Sequence, residues 1–381
     1  MKKKVLIISG EPSGDLHGAG LIRELKRINP GIEYYGVGGS KLKQEGMNLL
    51  FSIEKLSFMG FYEVLKNLKV IRELKRKLLD FIDRDKPDLV ILIDYPGFNL
   101  RFAREIKKRE IPILYYISPQ VWAWGKKRIE TIKKLVDRMV VFFPFEEKLY
   151  KDAGVEVDLI GHPLLDLVKP ALSKEEFQRK LKLTGKETLV GLLPGSRRQE
   201  IEKVLPVMVQ ACLILKKRLP NLRVAIGLSP NISREKLQVF LKRIDFEAII
   251  IEDLTYDLMS YSDLLLATSG TATLESAISG TPLIILYKTS LFTYLLAKTL
   301  VKIPNIGMVN IVAGEKIVPE FIQSEAKAER IAREMERILT DKGEYERMKN
   351  DLARVRDRLG EQGAYQRGAR IVNQILSQVF L

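Results

Sequence analysis

The stretch Leu89-Val90-Ile91-Leu92-Ile93-Asp94-Tyr95-Pro96-Gly97-Phe98-Asn99 decides the fold. Five aliphatic residues in a row, with no polar alternation, suit a strand covered on both faces, as in a parallel sheet flanked by helices. The run stops on a carboxylate, turns through Pro-Gly and opens a helix. Outward from it the same rhythm recurs: residues 5–9 followed by the amphipathic stretch 18–28, then strand patterns at 113–117 and 139–143, each with helical patterning behind it. It restarts after Pro170, with strand patterns at 189–193, 223–228, 248–251, 264–267 and 283–286. This βαβ alternation predicts two α/β, Rossmann-like domains. The crossing between them falls at Gly161-His162-Pro163 through Lys169-Pro170, two prolines and a glycine at a break in composition, and the domains are expected to face across a cleft beside it. The resulting division is 1–165, 166–350, and a charged helical segment 351–381 that packs back on the first domain.

The length of 381 residues suits two domains of roughly 100–200 residues each. With 46% hydrophobic and 29% charged residues the chain can bury sizeable cores, which excludes a disordered protein. The longest charge-free stretch, residues 111–125, is broken by Pro112 and Pro119 and falls short of the roughly 20 apolar residues of a spanning helix. The N-terminus lacks a secretory signal pattern, so a cytoplasmic location is expected. One cysteine and two histidines leave no internal disulfide and make a zinc site of these residues improbable. The net charge of +15 favours phosphate-rich partners: nucleotide, anionic lipid or nucleic acid. No zinc-finger, basic-zipper or RNA-binding pattern accompanies it, and no nucleic acid is expected.

Candidate chemistry lies where strand patterns end. In Ser9-Gly10-Glu11-Pro12-Ser13-Gly14-Asp15-Leu16-His17 a strand feeds a helix through a loop that lacks the dinucleotide glycine spacing, and its Glu11 and Asp15 would repel a pyrophosphate. Hydroxyls of a sugar or lipid acceptor fit better, with Glu11, Ser13, Asp15 and Asn99 as candidate ligands; the competing reading is an ordinary turn with Asp15 as helix cap. Asp94, desolvated by Tyr95 and Phe98, has the setting of a general base near neutral pH, with His17 in reserve, unless it only satisfies turn amides before Pro96. In the second domain Pro194-Gly195-Ser196-Arg197 opens a helix and suits a phosphate, through close backbone approach at Gly195, the Ser196 hydroxyl and the Arg197 fork. Ser269-Gly270-Thr271-Ala272-Thr273-Leu274-Glu275 repeats the design, and the pair of loops suggests a diphosphate, with Glu275 accepting from ribose hydroxyls. A capping box closed by Glu275 is the alternative.

Asp83-Arg84-Asp85 has the spacing that holds a divalent ion against a nucleotide-sugar, but it ends a charged helix and reads as solvated surface, so no metal is expected. A basic amphipathic helix, preceded by an aromatic and Met cluster, is the candidate membrane contact: Phe58, Met59, Phe61, Leu65 and Leu68 with Lys69, Arg72 and Arg76. The other possibility is an apolar stripe, continuing through Leu74 and Leu78, that is buried on the sheet.

On these motifs the chain resembles the lipid-A-disaccharide synthase family, glycosyltransferases of lipid A assembly in Gram-negative bacteria. The resemblance also rests on Ser118-Pro119-Gln120-Val121-Trp122-Ala123-Trp124, Phe143-Pro144-Phe145-Glu146, Gly161-His162-Pro163 and the stretch from Asn310 to Phe321, in order along nearly the whole chain. It implies a GT-B arrangement, the second domain holding UDP and the first the acceptor. It also implies an inverting, metal-free transfer of 2,3-diacylglucosamine from UDP to 2,3-diacylglucosamine 1-phosphate, by a peripheral protein on the inner face of the inner membrane. Asp94 matches the family's base and Arg197 the arginine at the UDP phosphates, and Asn310 joins the nucleotide-binding set. This chain departs from the family with Glu-Pro-Ser for Glu-Ala-Ser and Tyr95-Pro96-Gly97 for Ala-Pro-Asp, so no second acid stands at Gly97. Another UDP-sugar enzyme of the same fold, such as a UDP-N-acetylglucosamine epimerase or a peptidoglycan glycosyltransferase, and a non-catalytic membrane or nucleic-acid binding module are the alternatives.

Overall fold

The computed structural model describes residues 2–56, 68–119, 121, 127–196, 198–229, 233–243, 246–289 and 305–378. The chain divides into two compact units, Met1–Pro163 with Leu359–Leu381, and Leu164–Arg358.

Unit 1 is built on seven parallel strands: β1 (Lys3–Ser9), β2 (Ile32–Gly38), β3 (Asn48–Ser52), β4 (Leu89–Ile93), β5 (Ile113–Tyr116), β6 (Arg138–Val141) and β7 (Val157–Leu159). Their order across the sheet is β3-β2-β1-β4-β5-β6-β7. β1 and β4 lie side by side, Val5 opposite Leu89 and Ser9 opposite Ile93, so their C-terminal ends finish level. The chain winds outward from β1 in one direction and from β4 in the other. The loops leaving these two strands therefore part to opposite faces and open a crevice at the strand tips, where ligands of doubly wound sheets bind.

Every residue of β4 is buried, because helices cover both faces. One cover is the helix Leu68–Asp85, whose Leu74, Leu78, Phe81 and Ile82 pack into a core with Leu6, Ile8, Val90 and Leu92. The last described helix, Ala364–Gln378, lies on the helix Pro12–Ile28. Its Tyr365 ring sits against Gly20, where a Cβ would come within 2.5 Å of the ring, so only glycine lets the two helices approach this closely.

Unit 2 repeats the plan with β8 (Thr188–Leu193), β9 (Leu222–Gly227), β10 (Ile249–Ile251), β11 (Leu264–Thr268), β12 (Leu283–Tyr287) and β13 (Glu320–Ile322), in the order β10-β9-β8-β11-β12-β13 and all parallel. Its winding reverses between β8 and β11, paired through Val190–Leu264. The expected α/β class with parallel sheets and alternating helices is thus the observed one. Among the described residues no helix is long and apolar enough to cross a membrane.

Candidate functional site

In unit 1 the adjoining ends of β1 and β4 carry Ser9-Gly10-Glu11 on one side and Asp94-Tyr95 on the other. Asp94 (φ 44°) and Tyr95 (φ 47°) are consecutive left-handed residues. Each such non-glycine conformation costs roughly 1–3 kcal/mol and persists only where its surroundings over-determine it. The surroundings are specific. The Tyr95 ring lies over Gly10, which has no room for a Cβ: one would meet ring carbons at 2.3 Å. The Tyr115 hydroxyl donates to the Asp94 main-chain carbonyl at 2.6 Å, and the Asn99 amide donates to the same oxygen at 2.8 Å.

The Asp94 carboxyl is mostly withdrawn from water. Burial, and secondly the charge of Glu11, push its pKa up to about 7, opposed by a hydrogen bond from the Tyr95 main chain. A carboxylate poised near neutrality at a strand tip has the proton affinity of a general base.

In unit 2 a cavity of about 620 Å³ opens over the tips of β8, β9 and β11. Gly195 and Ser196 line it from the loop after β8, and Thr268, Ser269, Gly270, Thr271, Ala272 and Glu275 from the end of β11 and the helix Thr271–Ser279. Gly195 has φ 103°, a conformation that favours glycine and brings main chain to the cavity surface. Gly270 is the N-cap of that helix and no side chain among the described residues caps it, so the capping-box alternative is not realised. Uncapped N–H groups at a helix start suit an anion. The Thr268 hydroxyl is buried and has no hydrogen-bond partner among the described residues. Burial raises the pKa of the Glu275 carboxyl, while the Tyr256 hydroxyl donates to it at 3.2 Å.

Several of the candidate polar residues are engaged by the fold itself. Asp15, only 4% exposed, accepts from the main-chain N–H groups of Gly39, Lys41 and Leu42 at 2.6, 3.1 and 3.2 Å, and so anchors the start of the helix Ser40–Gln44. Asn99 is fully buried and donates to Ile8, Ile93 and Asp94 carbonyls, out of reach of an acceptor. His17 is hydrogen-bonded through Nδ1 to the Tyr365 hydroxyl at 2.9 Å and edges onto Phe142. Burial lowers its pKa to about 4, so near pH 7 it is a weaker base than Asp94. Thr273 turns its hydroxyl back to the Gly270 carbonyl. Asn310, fully buried, donates to the Val318 carbonyl and Glu320 and accepts from Ile317 and Val318, which saturates its amide.

Glu11 and Ser13 are exposed beside Gly10, where a ligand can reach them. Asp83 and Asp85 are engaged by Arg109 and Lys4. In the helix Leu68–Asp85, Leu74 and Leu78 are core residues, while Lys69, Arg72 and Arg76 are exposed. Arg197, Phe58, Met59, Phe61, Leu65 and the Leu68 side chain lie outside the described residues. Tyr115 and Tyr256 carried no sequence signal as site residues, while Gly10 and Thr268 belong to the two candidate loops but had no role of their own.

Comparison with known proteins bears on the whole chain. The family model described as lipid-A-disaccharide synthetase matches residues 5–375. The lipid-A-disaccharide synthase of Geobacter sulfurreducens is 41% identical over 375 residues, 98% of either chain. Among solved structures, the kitacinnamycin glycosyltransferase superposes with a TM-score of 0.65 at 14% identity, over 99% of this chain and 100% of that one. The UDP-GlcNAc 2-epimerase of Neisseria meningitidis, bound to UDP-GlcNAc, gives 0.63 at 16%, over 98% and 100%. At such identities these two structures speak to the fold, which is of the GT-B type.

Proposed function

Because the chain belongs to the lipid-A-disaccharide synthase family, we propose that it transfers 2,3-diacylglucosamine from UDP to the 6-hydroxyl of 2,3-diacylglucosamine 1-phosphate, releasing UDP and the β-1′,6-linked disaccharide 1-phosphate. The observation that carries the mechanism is the Asp94 carboxyl at the β1/β4 switch point, with its pKa near 7. Asp94 takes the proton of the acceptor hydroxyl as that oxygen bonds to the anomeric carbon and the bond to UDP breaks on the opposite side, inverting configuration. The unit 2 cavity takes UDP: the diphosphate lies at Gly195, Ser196 and the uncapped helix start at Gly270 and Thr271, with Arg197 as a further cation, and the ribose hydroxyls donate to Glu275. Charge growing on the leaving diphosphate is stabilised by donors already in place. These groups serve without a metal, so chelator leaves turnover unchanged.

The acceptor is met by Glu11 and Ser13. The exposed Lys69, Arg72 and Arg76 favour attachment to an anionic surface, in keeping with a peripheral protein on the cytoplasmic face of the inner membrane. An epimerase of the same fold has only fold-level likeness in its favour, against a family match along nearly the full chain. The same match disfavours a non-catalytic module.

The test is incubation of purified protein with UDP-diacylglucosamine and diacylglucosamine 1-phosphate, with mass spectrometry for the disaccharide. UDP release that does not depend on the acceptor, or an epimerised donor, would refute the proposal.

A further inference from the structure

The carbonyl of Asp94 is the place where the β-ladder ends. The Asp94 N–H still donates to the Tyr116 carbonyl at 3.3 Å, as a continuation of β4 along β5. Its own carbonyl is swung out of the ladder by the left-handed turn. A carbonyl left in that position needs donors from elsewhere. Two side chains supply them: the Tyr115 hydroxyl at 2.6 Å, from the neighbouring strand, and the Asn99 amide at 2.8 Å, from the helix Pro96–Lys107 that the turn begins. The Asn99 amide also reaches the Ile93 and Ile8 carbonyls at 3.3 and 3.4 Å, so one side chain ties the ends of β1 and β4 to the turn.

We propose that Asn99 and Tyr115 are positioning residues for the reaction, gripping the Asp94 main-chain carbonyl so that the strained turn keeps the carboxylate aimed into the crevice. Neither touches substrate. This inference rests on the reading of Asp94 as the base. Both residues are fully buried, which separates them from ligand-contacting groups such as Glu11 and Ser13. A left-handed aspartate–tyrosine pair relaxes toward ordinary backbone when its ties are cut, because nothing intrinsic to the two residues favours it. The groups that share the carboxyl's surroundings are Glu11 from the loop after β1, Tyr95 from the turn and Tyr115 from β5. A relaxed turn carries the carboxylate away from them toward water, which lowers its proton affinity.

The test is the pH profile of kcat for Tyr115→Phe, which deletes one hydroxyl, and for Asn99→Ala, with melting temperatures measured alongside. The expected result for Tyr115→Phe is a folded enzyme with KM for both substrates within about twofold of wild type and kcat reduced about tenfold. Its acid limb should move to lower pH by at least about half a unit. Asn99→Ala should move the limb the same way and further. An unchanged limb, or a kcat loss that follows the loss of melting temperature, would mean the two residues serve stability only and overturn the inference. Asp94→Asn is assayed in parallel. If it is inactive while both other variants behave as wild type, the positioning role fails alone. If it is active, the base is elsewhere and both readings fall.

Discussion

Replacing Asp94 by asparagine should stabilise the protein while abolishing turnover. The substitution keeps the shape of the side chain and removes a charge that the fold disfavours. Burial first, and Glu11 second, push the carboxyl up to about 7, against roughly 4 in an unfolded chain. Below pH 4 both states hold the proton and the group makes no difference to stability. Between about 4 and 7 the unfolded chain ionises first, so wild-type stability declines as pH rises. Above the native value the cost is complete, with a ceiling of about 4 kcal/mol for a separation of this size. Relaxation around the charged form leaves an expected penalty of about 1–3 kcal/mol, which for a unit of this length corresponds to roughly 3–10 °C in melting temperature. The variant does not titrate here, so its advantage should open between about pH 4 and 7 and then level. Scanning calorimetry from pH 5 to 8.5 reads the difference, and the disaccharide assay should show a loss of more than about a hundredfold, as expected for removal of a general base. An equal melting temperature at pH 8, or an advantage independent of pH, would refute the assignment of a raised carboxyl. Near-normal turnover would refute its role as base.

Glu275→Gln should weaken UDP binding by about ten- to a hundredfold in calorimetric titration with the fold intact, since hydrogen bonds to a charged group are among the stronger ones; unchanged affinity would move the ribose away from Glu275. Gly10→Ala forces its Cβ into the Tyr95 ring, at 2.3 Å before any shift, and should cut kcat at least about tenfold through the displaced turn, with UDP affinity preserved. Charge reversal at Lys69, Arg72 and Arg76 should reduce co-sedimentation with phosphatidylglycerol vesicles at low salt while leaving the melting temperature within a few degrees; undiminished binding would place the contact on another surface.

The β4 stretch was legible because its signal is local: a wholly apolar run ended by a carboxylate states both burial and a strand tip. The burial that raises the proton affinity of Asp94 followed from the same few residues, whereas the Glu11 charge that adds to it comes from the loop after β1. What sequence does not display is the partner of a polar side chain. Asp15 stands three residues after Pro12 at a helix start, as a ligand or a cap would, but its three donors come from residues 39 to 42. Asn310 is likewise saturated by main chain and carboxylate seven to ten residues on. Tyr115 sits inside an apolar strand pattern that gives no hint that its hydroxyl meets the end of a neighbouring strand. In each case the missing information is a pairing across elements, and periodicity carries only which face a residue occupies.

On the proposed function, the two units apply one topology to opposite electrostatic tasks. Each reverses its winding beside its first strand, at β1/β4 and at β8/β11, and each spends a glycine there to bring main chain close. In unit 1 the flanking side chains are carboxylates, Glu11 and Asp94, and their mutual repulsion adds to burial in holding a proton near neutrality. In unit 2 the corresponding loops put glycines and hydroxyls at the strand tips and leave a helix start uncapped, a setting of outward N–H groups that favours negative charge. Exchanging the chemistry of the loops would fail for a physical reason. A diphosphate at the unit 1 crevice would face two acids, and a carboxyl at the uncapped helix start of unit 2 would be held ionised, with too little proton affinity to act as a base. The division between proton acceptor and anion site therefore lies in which side chains surround each switch point, and the sheets themselves are indifferent to it.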